Sequence, residues 1–171
     1  MNDSAGGLSL AAAVRAIGQA RSVGEIVAAW RRTARQVIGA DGITLVRRER
    51  DQVRYIAEDA VGPLWLDKCF PLPACISGIA MLEERPIIIP DITADPRVPY
   101  NAYMGTFVRS MIMVPVGRHR PRAAIGAYWQ AVDAPSDRAL AVLETIADTV
   151  ADTLARVETP ADNLQTHVAA A

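Results

Sequence analysis

The chain has 171 residues, enough for one domain with a substantial core. Hydrophobic residues make up 51%, which excludes disorder throughout, and a net charge of -1 gives no field for nucleic acid or an anionic membrane. No apolar run approaches the roughly 20 residues that span a bilayer, Met1 to Gly7 lacks the order of a signal peptide, and two cysteines do not make a secreted disulfide scaffold. The expectation is a cytoplasmic protein or a cytoplasmic piece of one.

Leu8 to Ala20 is Ala-rich, with Leu10, Val14 and Ile17 at helical spacing. Ser22-Val23-Gly24-Glu25 matches a capping box. The helix that follows puts Ile26, Trp30, Ala34 and Val37 on one face, and Gly39 ends it. Ile43 to Val46 and Val53 to Ile56 read as two strands, with Arg54 and Glu58 on a wet face. Gly62 to Pro73 is irregular yet carries Trp65, Leu66, Phe70 and Leu72, so it should fold over something and bury them. Ser77 to Glu84 is a short helix, Ile87-Ile88-Ile89 a buried strand, and Pro99 opens a helix expected to reach Phe107. From Ser136-Asp137 a long helix begins. Leu140, Leu143, Ala147, Val150, Leu154 and Val157 are spaced 3, 4, 3, 4, 3 along it, a heptad seam. Pro160 stops it, and Ala161 to Ala171 reads as a frayed tail.

Between them lie Ser110 to Val116 and Ala123 to Trp129, two apolar runs around a Gly-, Pro- and Arg-rich turn. That is a hairpin, and its first strand is apolar on both faces. Pro115 marks a bulge or the end of pairing, and Gly126 a place where something packs closely.

Ser110 to Val116 with Ile125-Gly126-Ala127 resembles the closing hairpin of a GAF domain, the regulatory module of phytochromes, cyclic-nucleotide phosphodiesterases and bacterial sensor kinases. Cys75 to Ala80 resembles the helix before the third strand of that fold, Pro86 to Ile92 that strand, and Asp95-Pro96-Arg97 the turn after it. The resemblance covers roughly residues 22 to 157 and is closest to input domains of bacterial sensor histidine kinases. It implies an α/β (α+β) fold: a central, mainly antiparallel sheet, terminal helices on one face, a lid of loops and short helices on the other. Residues 1–21 are expected to form an N-terminal helix or arm, and 158–171 a flexible tail.

In such domains the ligand lies between sheet and lid. On that pattern Trp65, Phe70, Cys75, Asp91, Tyr100, Tyr103, Phe107, Ser110 and Trp129 are candidate ligand contacts; which face Ser110 takes is open. Free methionine-(R)-sulfoxide reductases are an enzymatic branch of the resemblance, with an attacking cysteine just before the strand that here begins at Ser110. This chain has Asn101 to Gly105 there and no cysteine, so no nucleophile for a sulfoxide. Cys69 and Cys75 have no metal spacing, and His119 and His167 fall in a turn and a tail, poor places for an axial haem ligand. No cysteine followed by histidine stands where bilin-attaching domains carry one.

The expectation is therefore a non-catalytic sensory or regulatory module with no metal site, its cofactor unspecified. It would bind a small molecule or partner and pass the signal through its terminal helices to an output domain or signalling protein, as in two-component systems. A sulfoxide reductase-like thiol enzyme and a ligand-free dimerisation module are the alternatives. The heptad seam suggests a parallel homodimer through the terminal helices. The like-charge stripe Glu144, Asp148 and Asp152 would be answered by Arg156 and by the basic helices bearing Arg15, Arg21, Arg31, Arg32 and Arg35.

Overall fold

The structure, a computed structural model, describes residues 8–159. Of the tail expected at 158–171, Glu158 is helical, while residues 160–171, His167 among them, and the Met1–Gly7 segment lie outside the described residues. Two helices come first: α1 (Leu10–Gly18) and α2 (Val23–Ile38). Ser22 Oγ accepts the N–H of Glu25 at 3.2 Å, and the Glu25 carboxylate reaches back one residue further than a standard box, to the N–H of Arg21 at 2.8 Å. Gly39 closes α2 in the left-handed region at φ 76°.

β1 (Gly42–Glu49) and β2 (Gln52–Ala60) form a longer hairpin than the two short runs anticipated. The segment expected to be irregular contains a three-residue edge strand, β3 (Cys69–Pro71), and a 3-10 turn at Leu72–Ala74. α3 (Ile76–Glu83), β4 (Ile87–Ile89) and α4 (Tyr100–Tyr103) follow. α4 stops well short of Phe107, because Met104 is already extended at ψ 130° and Gly105 turns at φ 83°. β5 (Ser110–Val116), β6 (Ala123–Trp129) and α5 (Asp137–Glu158), capped by Ser136 Oγ on the N–H of Ala139, complete the chain.

The six strands form one sheet in the order β3-β2-β1-β6-β5-β4, and every pair is antiparallel. β4 pairs only with Met111 to Met113, so the ladder on that side ends before Pro115. Leu45 faces Ala57 while Val46 faces Tyr55, which leaves Ile56 as the extra residue of a bulge in β2.

The sheet separates two cores. On one face Ile43, Leu45, Ile112, Val114, Ile125 and Ala127 meet α1, α2 and α5. On the other, Val46, Val53, Met111, Met113 and Tyr128 meet α3 and the lid segments. Leu143, Ala147 and Val150 of the heptad seam are fully buried in the first core. The seam therefore serves this chain's own packing. Arg156 does not answer Asp152: its guanidinium donates to the carbonyls of Gly18 and Ala20 at 2.7 and 2.9 Å, covering the free end of α1. α1 is no loose arm, since Ala13 and Ile17 are fully buried.

Candidate functional site

Under the lid lies an aromatic cluster centred on Trp65. The chain after β2 reverses over the sheet, held there by Glu58: its carboxylate accepts the backbone N–H groups of Leu64, Trp65 and Leu66 at 3.3, 3.0 and 2.9 Å. This drives the Trp65 indole inward until it is 3% exposed. Its ring centroid lies 4.8 Å from that of Tyr103 and 5.4 Å from those of Tyr55 and Tyr128, in tilted and edge-on arrangements that aromatic pairs favour. Phe70 of β3 meets Tyr55 edge-on at 5.7 Å. The indole Nε1–H donates to the carbonyl of Ala102 at 2.9 Å, so lid and α4 are tied together. Trp65 thus fills the space between sheet and lid.

Glycines make this crowding possible. A Cβ at Gly126 would run into the Tyr128 hydroxyl, and one at Gly42 into the Phe107 ring. Gly126 therefore lets Tyr128 lie over the neighbouring strand, where its hydroxyl shares a hydrogen bond with Thr44 at 2.8 Å.

A few polar groups are buried with the rings. Cys75 Sγ lies 3.4 Å from Ser77 Oγ and can donate to the carbonyls of Pro71 and Leu72. Burial pushes the Cys75 thiol above its ordinary value, with the hydrogen bonds from the Ser77 hydroxyl and the Gly78 backbone opposing it. Burial also raises the phenols of Tyr55, Tyr103 and Tyr128. The environment keeps all four groups protonated and neutral.

The structure sorts the residues expected from sequence. Trp65, Cys75 and Tyr103 are buried in the lid cluster, with Phe70 and Phe107 half-buried against it. Ser110 and Trp129 are not there. They face each other across β5 and β6 on the helix side of the sheet, where Ser110 Oγ donates to the Ala131 carbonyl at 2.6 Å and Trp129 Nε1 to that of Gly39 at 2.9 Å. Their polar atoms are spent on tying loops to the sheet. Tyr100 is 51% exposed on the outer side of α4. Asp91 closes a turn: Thr93 donates to its carboxylate from N–H and hydroxyl at 2.9 and 2.7 Å, which holds its pKa below the usual range. Sequence reasoning missed Tyr55 and Tyr128, the other two walls of the cluster. The sign of Tyr128 was Gly126, two residues before it, whose missing side chain makes the room.

Solved structures share this architecture. The free methionine-R-sulfoxide reductase of Neisseria meningitidis, in complex with its substrate, superposes with a TM-score of 0.76 at 14% identity, covering 86% of this chain and 87% of that one. The GAF domain of an Acinetobacter phosphoenolpyruvate-protein phosphotransferase gives 0.73 at 14% identity over 86% and 90%. The chromophore-binding domain of a bacteriophytochrome from R. palustris gives 0.71 at 19% identity over 87% and 60%. At such identities the likeness shows the fold alone. No curated protein sequence matches the chain. Residues 20–155 match the sequence model of the GAF domain, and the chain belongs to that family.

Proposed function

We propose that this GAF domain is a non-catalytic regulatory module whose ligand position is held by its own Trp65. The observation that carries the reading is the closed Trp65, Tyr55, Tyr103 and Tyr128 cluster between sheet and lid. A small apolar or aromatic molecule would compete with the indole, and the lid would shift between a closed population and one with Trp65 withdrawn. Contacts would come from Phe70, Cys75, Tyr103 and Phe107, joined by Tyr55 and Tyr128. The raised thiol of Cys75 supports a packing role, because the thiolate is the nucleophile and burial suppresses it.

Output would pass through α1, α2 and α5 to a signalling partner of the two-component kind, in a cytoplasmic setting. No helix among the described residues is long and apolar enough to cross a membrane. A homodimer through the same helices would use their outer faces, because Leu143, Ala147 and Val150 of the seam are buried within the chain. Arg31 and Arg32 on α2 and Glu144, Asp148 and Asp152 on α5 are exposed and of opposite sign. Such a dimer weakens with salt.

The test has two arms. Native mass spectrometry on protein taken from cells should show one small molecule per chain, at higher occupancy in Trp65→Ala, where the competing indole is gone. Loss of the molecule in that variant would show that Trp65 is a contact and not a competitor. Free methionine-R-sulfoxide, supplied with a dithiol reductant, should not turn over. Turnover abolished by Cys75→Ser or Cys69→Ser would establish the thiol enzyme instead.

A further inference from the structure

A second hollow lies on the opposite face of the sheet, outside the lid. It is a groove of about 560 Å³ between α2, α5 and the ends of β1, β2 and the β5–β6 hairpin. Its inner surface is apolar: Val27 from α2, Ala151 and Leu154 from α5, and Ile56 from β2 line it and are left only partly buried against the core. Ile56 follows Tyr55 of the lid core and so points to the helix side, and the bulge in β2 puts Ala57 beside it on that side. Half-covered aliphatic groups in a concavity of this size are what small-molecule sites are made of.

The mouth has the opposite chemistry. Arg47, Arg48, Arg50, Arg120 and Arg122 surround it. Among the described residues, none of the five takes part in an ion pair. Only two carboxylates line the groove, and Glu49 is already held by Arg54 at 3.2 Å, which leaves Glu158. The mouth is also fixed in shape. The N–H of Arg48 donates to the carbonyl of Arg122 at 2.8 Å, tying β1 to the hairpin turn.

We propose that this groove is a binding site for a single-chain anionic amphiphile, a carboxylate on a medium-length aliphatic chain. The aliphatic part lies on Ile56, Val27, Ala151 and Leu154, and the carboxylate meets the arginine mouth, where a guanidinium fork matches a carboxylate in two parallel hydrogen bonds. A helical peptide would lay only one apolar face in the groove, whereas the ring of arginines at the mouth matches a single anionic head at the end of an aliphatic chain. The ligand would bridge α2 and α5 and so act on the helices that leave the domain, independently of the lid.

The experiment titrates the full chain with decanoate, with decanol and with inorganic phosphate, by calorimetry and thermal shift. Decanoate is expected to bind one per chain and to raise Tm, with decanol and phosphate each at least about tenfold weaker. Arg47→Glu with Arg122→Glu, both on exposed side chains, should weaken decanoate about tenfold while circular dichroism stays unchanged. Ala151→Trp should fill the groove and abolish binding of the chain. Trp65→Ala should leave decanoate binding intact, which separates this site from the lid. Equal binding of decanoate and decanol, phosphate as tight as decanoate, no saturable binding, or indifference to both groove variants would overturn the proposal. Displacement of decanoate by an acidic helical peptide at lower concentration would assign the groove to a protein partner and overturn it as well.

Discussion

The carboxylate of Glu58 accepts the backbone N–H of Trp65 at 3.0 Å, and so one side chain on β2 decides where the lid indole lies. The same carboxylate also takes the N–H groups of Leu64 and Leu66. Glu58→Ala leaves three backbone donors to water or to nothing. We expect a loss of about 1.5–3 kcal/mol, the range for hydrogen bonds to a charged group. Trp65 fluorescence should shift to the red in the native baseline of a Trp30→Phe, Trp129→Phe background, where it is the one remaining tryptophan. Unchanged emission would show that the cluster, not Glu58, holds the lid.

Trp30 and Trp129 are both buried, but only one of them is satisfied. Trp129 Nε1 donates to the carbonyl of Gly39, whereas Trp30 Nε1 has no partner among the described residues. Trp→Phe removes a made hydrogen bond at 129 and an unmade one at 30. Urea titration should find Trp129→Phe more destabilising than Trp30→Phe by about 1 kcal/mol or more. Equal losses would mean that cavity size decides both.

Three buried phenols predict the alkaline limit. Tyr55, Tyr103 and Tyr128 all have values raised by burial. As pH rises past about 10 the unfolded chain releases these protons first, so it binds fewer than the folded one. Stability is therefore complete below about pH 10 and falls above it. Tm measured across that range, with tyrosinate absorbance followed in parallel, should show phenol ionisation coinciding with unfolding. Tyr128→Phe should make the fall shallower.

Two glycines of helices should respond in opposite ways to alanine. At Gly78 of α3 a Cβ would land on the Leu72 carbonyl oxygen, which is backbone and cannot turn aside. Gly78→Ala should cost about 2 kcal/mol or more. At Gly24 of α2 the nearest atom is Ser22 Oγ at 3.8 Å. Gly24→Ala should be neutral or stabilising by about 0.4–1 kcal/mol. Chemical denaturation of both variants gives the comparison.

Local chemistry made the boundaries of α2 and α5 readable, because Ser22, Gly39 and Ser136 act on the backbone next to them. The destination of an apolar face was not readable in the same way. Leu143, Ala147 and Val150 make the same pattern whether a second chain or the protein's own sheet covers them, and here it is the sheet. β5 and β6 were harder still. Every residue of both is buried, so alternation leaves no trace: it leaves the face of Ser110 open, and it gives no sign that Trp129, a candidate ligand contact, lies with Ser110 on the helix side. Tyr55 sits between Arg54 and Ile56 on a strand read as half wet. The bulge that puts Ile56 and Ala57 on the same side has no signal in composition at all.

The clasp of Arg156 on Gly18 and Ala20 also decides how the domain would bear a load. A pull applied through α1 and α5 meets these two hydrogen bonds and the buried Ala13 and Ile17 before it reaches any strand of the sheet. The ladder from β3 to β4 is shielded while the clasp holds. Shear between first and last helix is thus the motion that such a pull meets first, on the opposite side of the sheet from the aromatic cluster.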